Sequence, residues 1–158
     1  MYLTAGSGGI YLSANDGVNG QELHYSQGDA FSTNMVKDIW PGVNNSSNPM
    51  WLTKIGSQMI FSADDGENGR ELWITDNTEE GTRMIKDINP GNNSSNPTGP
   101  MKEMGGFVYF SANDGTHGWE LWRTDGTESG TTMVSDIHDG ENGSLSWGST
   151  AHWHGEYT

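Results

Sequence analysis

The sequence predicts an all-β chain, a β-propeller-like array of three roughly four-stranded antiparallel units that is incomplete as a single chain. Three observations predict it. The chain repeats with a period of 49 residues, and each repeat holds short β-prone runs punctuated by Asn/Asp-Gly turns. No stretch shows the 3.6-residue apolar periodicity of a helix over three turns. Four strands in about 40 to 50 residues is the size of one propeller blade.

The repeats set the boundaries. Ser13-Ala14-Asn15-Asp16-Gly17 returns as Ser62-Ala63-Asp64-Asp65-Gly66 and as Ser111-Ala112-Asn113-Asp114-Gly115. Met35-Val36-Lys37-Asp38-Ile39 returns as Met84-Ile85-Lys86-Asp87-Ile88 and Met133-Val134-Ser135-Asp136-Ile137. The units are 1–49, 50–98 and 99–147. Residues 148–158 remain, an extra strand that begins a fourth unit or is swapped to a neighbour.

The third unit shows the elements in order. A weak strand around Pro100–Met104 opens it. The aromatic and β-branched run Phe107-Val108-Tyr109-Phe110 follows and stops at the turn Asn113-Asp114-Gly115. Glu120-Leu121-Trp122-Arg123-Thr124 alternates and stops at Asp125-Gly126, and Thr131-Thr132-Met133-Val134 leads to Asp136-Ile137. The aliphatic content is low and the net charge is −14, a combination typical of disorder. Seven Trp, five Tyr and eight Met supply the missing apolar surface.

Charge and composition exclude several classes. With 21 acidic and 7 basic residues, the chain has no phosphate-neutralising surface for nucleic acid or an anionic membrane. No apolar run spans a bilayer, so no membrane insertion is expected. Cysteine is absent, which removes disulfides, thiol catalysis and Cys-bound zinc. The start, Met1 to Gly6, lacks the pattern of a signal peptide.

Glu71-Leu72-Trp73-Ile74-Thr75-Asp76-Asn77-Thr78 and Glu120-Leu121-Trp122-Arg123-Thr124-Asp125-Gly126-Thr127 carry one signature, which decays to Glu22-Leu23-His24-Tyr25-Ser26-Gln27-Gly28-Asp29 in the first unit. In this the chain resembles the bacterial tandem-repeat family named for Glu-Leu-Trp-x-x-Asp-Gly-Thr. The resemblance implies a propeller-like array in a secreted or cell-surface protein, and implies no settled activity.

Candidate site residues follow from the repeats. Asp16, Asp65 and Asp114 sit in Asp-Gly-x-x-Gly turns, where clustered oxygens could hold Ca²⁺, the one candidate cofactor; turn chemistry explains the same residues. Glu22, Glu71 and Glu120, with Asp38, Asp87 and Asp136, repeat in every unit. A catalytic carboxylate pair needs two different environments, so identical repetition predicts a structural hydrogen bond made three times. Trp40, Trp51, Trp73, Trp119 and Trp122, beside acids and amides, match the chemistry of sugar recognition, although Trp73 and Trp122 also fit packing between units. His152 and His154 could form half of a metal site, and no established catalytic motif is present. Sequons at Asn44, Asn45, Asn92, Asn93 and Asn142 could accept glycans, the first four in loops expected to be exposed.

Three blades do not close a ring, since propellers use about four to eight. The expected partner is therefore the chain itself, as a ring or a filament, with glycans as expected ligands. The expected function is a non-enzymatic extracellular module for binding and assembly. The alternatives are a structural subunit of a filament or surface layer, and, less favoured, a propeller hydrolase.

Overall fold

A computed structural model describes residues 3–139 and 143–145. Among these, twelve strands form three four-stranded antiparallel sheets, each a meander in chain order. Sheet 1 contains β1 (Leu3–Ala5), β2 (Ile10–Asn15), β3 (Gln21–Ser26) and β4 (Asn34–Lys37). Sheet 2 contains β5 (Met50–Ile55), β6 (Gln58–Asp64), β7 (Arg70–Thr75) and β8 (Arg83–Lys86). Sheet 3 contains β9 (Thr98–Met104), β10 (Phe107–Asn113), β11 (Trp119–Thr124) and β12 (Thr132–Ser135). The described residues include no helix, and hence none long and apolar enough to cross a membrane.

The strands run further than their apolar cores. β10 continues through Asn113, which pairs with Trp119, so the turn begins one residue later than its composition suggests. β9 starts at Thr98, which pairs with Ser111 across a bulge. The expected strand in 148–158 lies outside the described residues.

Strand alternation gives each sheet two apolar faces, and the faces explain the packing. From sheet 1, Tyr11, Leu23, Tyr25, Val36 and Ile39 meet Leu52, Met59, Phe61, Ala63 and Trp73 of sheet 2 in one core. The second core repeats the first with every residue advanced by 49. Ile60, Leu72, Ile74, Ile85 and Ile88 of sheet 2 meet Met101, Val108, Phe110, Ala112 and Trp122 of sheet 3. Sheet 2 is therefore buried on both sides, which is why β6 is a nearly continuous buried run while its counterparts β2 and β10 alternate. The scarce aliphatics are concentrated in these two seams.

Candidate functional site

The repeated glutamates are candidates for chemistry, and each is fully buried at the start of the third strand of its sheet. Glu71 accepts hydrogen bonds from the Ile88 N–H at 3.0 Å, the Ser95 N–H at 2.8 Å and the Ser95 hydroxyl at 2.5 Å. Glu22 does the same with Ile39 (3.1 Å) and with the Ser47 N–H (2.9 Å) and hydroxyl (2.5 Å). Glu120 repeats it with Ile137 and with the Ser144 N–H and hydroxyl. The carboxylate thus clasps the segment that leaves its sheet. The carbonyls of Ser47 and Ser95 then accept the Asp64 and Asn113 N–H groups of the next sheet, both at 3.0 Å. One buried carboxylate joins two sheets.

Burial raises the pKa of Glu22, and raises that of Glu71 to about 7 against the pull of its Ser95 and Ile88 hydrogen bonds. At Glu120 burial also raises the pKa, but the hydrogen bonds from Ser144 and Ile137 outweigh it and the net shift is downward. The three groups make the same contacts, so their geometry offers no division into acid and base.

Composition does not mark Ser47 and Ser95 as site residues. Their loops, expected to be exposed, bury both serines completely. Close passage of the linker over the preceding turn is the reason. A Cβ at Gly69 (φ 69°) would lie 2.5 Å from the Asn93 carbonyl oxygen. Asn44, Asn92 and Asn93 remain exposed in these linkers, whereas the Asn45 amide nitrogen donates to the Pro41 carbonyl at 2.9 Å. Asn142, His152 and His154 lie outside the described residues.

The rest of the signature is equally engaged. Leu72 enters the second core and Trp73 the first. Thr75 and Thr82 share a hydrogen bond of 2.7 Å, and Asp76 accepts the N–H and hydroxyl of Thr78 at 3.0 and 2.7 Å. Asn77, at φ 77°, takes the place of Gly126, at φ 91°, in the left-handed region that favours Gly or Asn. In the first unit Ser26 replaces the first Thr and keeps the bond to Thr33. There Asp29 caps the loop instead, accepting the N–H groups of Phe31 and Ser32, each at 2.9 Å.

The candidate Ca²⁺ residues are engaged within their own loops. Asp65 Oδ1 accepts the Glu67 and Asn68 N–H groups at 2.9 and 2.7 Å, and Oδ2 accepts the Asn68 amide at 2.8 Å. Asp16 repeats this with Val18 and Asn19, and Asp114 with Thr116 and His117. Both oxygens of each carboxylate face donors, and no three metal-ligating side chains converge among the described residues. Backbone hydrogen bonds from Asn19 and Val18 hold Asp16 down at about 2.

The tryptophans divide. Trp73 and Trp122 are each only 6% exposed and lie between sheets, so neither offers a ring face to a sugar. Their indole nitrogens, with Oδ1 of Asp38, Asp87 and Asp136, are buried without hydrogen-bond partners among the described residues. The three aspartates therefore do not repeat the glutamate's saturated contacts. Trp40, Trp51 and Trp119 are half-buried. Trp40 follows β4 and lies against Gly66, Trp51 is the second residue of β5 and packs on the second core, and Trp119 opens β11. Strand directions put all three at the end of the sheets that carries the Asp-Gly turns and the linkers. At the opposite end, a cleft of about 170 Å³ is lined by Tyr25, Ser32, Asn34 and Asn77 among others. It is smaller than the roughly 300–1,000 Å³ of typical small-molecule sites.

The chain matches no family model and no curated protein sequence. Among solved structures it is similar to the computationally designed Ika8 protein, at 17% identity and a TM-score of 0.40 over 80% of this chain. It spans about a third (33%) of that protein.

Proposed function

We propose that the chain is a non-enzymatic extracellular binding and assembly module whose sheets stack as blades of a propeller-like array. The observation that carries the reading is the engagement of the repeated Glu and turn Asp carboxylates in near-identical hydrogen bonds. Groups held alike in every unit serve the fold, which leaves surfaces to carry function. The linker end is the surface best suited to glycan or matrix, because Trp40 and Trp119 stand there among exposed amides and acids. Aromatic faces stack on sugar C–H groups while amides and carboxylates bond hydroxyls. Resemblance of the Glu-Leu-Trp signature to surface and secreted repeat proteins supports the location.

The test is a glycan array read with the wild type, Trp40→Ala and Trp119→Ala, each confirmed folded by its melting temperature. Binding that weakens at least about tenfold (about 1.4 kcal/mol) in either variant supports the reading. Undiminished binding in both, or none by the wild type, overturns it. The second reading, a structural subunit of a filament or surface layer, is favoured by the apolar outer faces of sheets 1 and 3. Leu3 and Ile10 are 57% and 39% exposed on one, and Val134 and Ile137 are 44% and 63% exposed on the other.

A further inference from the structure

The two outer faces are repeat copies of the faces that make the interior seams. On sheet 3, Tyr109, Leu121, Val134 and Ile137 stand 49 residues beyond Ile60, Leu72, Ile85 and Ile88, which sheet 3 itself covers. On sheet 1, Leu3, Ile10, Leu12 and Ala14 stand 49 residues before Leu52, Met59, Phe61 and Ala63, which cover sheet 1. Each outer face therefore has the pattern of the half-seam that the other lacks.

The copying fails at His24 of sheet 1, which stands where Trp73 and Trp122 fill the interior seams, and at two further places that fit each other. In the second seam the Ile74 side chain reaches Gly126 of the next sheet, where an added Cβ would lie 2.9 Å from its Cδ1. The residue equivalent to Ile74 in sheet 3 is Arg123, exposed and stacked on Phe107 with its guanidinium carbon 4.6 Å from the ring centroid. The residue equivalent to Gly126 in sheet 1 is Gly28, followed by Asp29, an acid found at this position only in the first unit. A cation thus replaces isoleucine on one outer face, and a carboxylate appears on the loop that the same seam would bring to it.

We propose that the outer face of sheet 3 docks on the outer face of sheet 1 of a second copy of this chain, with Arg123 of one copy against Asp29 of the other. The proposal rests on the stacked-sheet reading and deepens the structural-subunit alternative. The contact is head-to-tail, so it closes into a ring or continues as a filament according to the rotation between sheets. Interior seams need no such pair. At a seam between copies it fixes partner and register, because juxtaposed like charges there are disfavoured.

A charge exchange tests it. Sedimentation equilibrium of the 158-residue chain is compared with that of Arg123→Glu, of Asp29→Lys, and of an equimolar mixture of the two variants. Circular dichroism and melting temperature monitor folding. The wild type is expected to associate, and each variant alone to associate at least about tenfold more weakly. The mixture is expected to recover, since the introduced acid then meets the introduced base and the unaltered faces keep their own opposite charges. A wild type that stays at one-chain mass, or variants whose association is unchanged, overturns the proposal. If Asp29→Lys does not fold, Val134→Glu replaces it without the mixing arm and must itself weaken association. Glycan binding by a chain that stays monomeric would leave the binding-module reading intact while removing this one.

Discussion

Glu71 shows how a residue type associated with chemistry is drawn into folding. Its folded pKa is about 7 against an ordinary value of 4.5, so between those values the folded chain holds a proton that the unfolded chain releases. This contribution to stability is complete below about pH 4.5 and is lost as pH rises through about 7, a change of roughly 3 kcal/mol. His117 acts in the same direction. Its hydrogen bond to Asp114 raises its pKa above 6.5, so the stabilisation is present at lower pH and fades as the imidazolium deprotonates. The melting temperature is expected to fall between about pH 5 and pH 8. In Glu71→Gln the starting stability should be lower and the fall shallower, and a fall as steep as the wild type's would contradict this assignment. Asp65→Ala, which removes an acceptor of three hydrogen bonds in a half-buried turn, is expected to cost about 1 kcal/mol in denaturant melts. A chelator should leave the melting temperature unchanged, because a cation bound only to the native state would have raised it.

At the scale of elements, both the linker and the seam hold the sheets together, the seam more strongly. Ser95→Ala removes a hydroxyl from a buried carboxylate and is expected to destabilise by about 1–3 kcal/mol. Trp73→Ala opens a cavity in the first core and should cost about 3–5 kcal/mol, measured by urea unfolding. Much of this is legible in the sequence. The 49-residue repeat and its turn residues locate the strands, because tight antiparallel turns demand Gly, Asn and Asp at set places. Repetition of the Glu points to one hydrogen-bond scheme made three times, but does not identify its partner. Ser47 and Ser95 sit in polar loops whose composition signals exposure, and their burial depends on a close crossing 24 or 25 residues from the glutamate. The available signal is periodicity, since Ser95 and Ser144 are 49 residues apart. Trp73 and Trp122 fit both a core and a sugar-binding surface until the sheets around them are placed.

Over the whole molecule, each sheet uses one face to cover its predecessor and the other to receive its successor. That arrangement buries both faces of sheet 2 and leaves one face each on sheets 1 and 3 with the composition of a seam. The acidic surface discourages indiscriminate contact between copies, since the net charge of −14 repels at long range. Specific contact then depends on the apolar faces and on the opposite charges of Arg123 and Asp29. The mass of the wild-type chain, by sedimentation equilibrium over a concentration series at physiological salt, bears most directly on whether these faces pair. Species at multiples of 17.2 kDa that grow with concentration are expected. A constant mass of 17.2 kDa throughout would show that the outer faces do not meet.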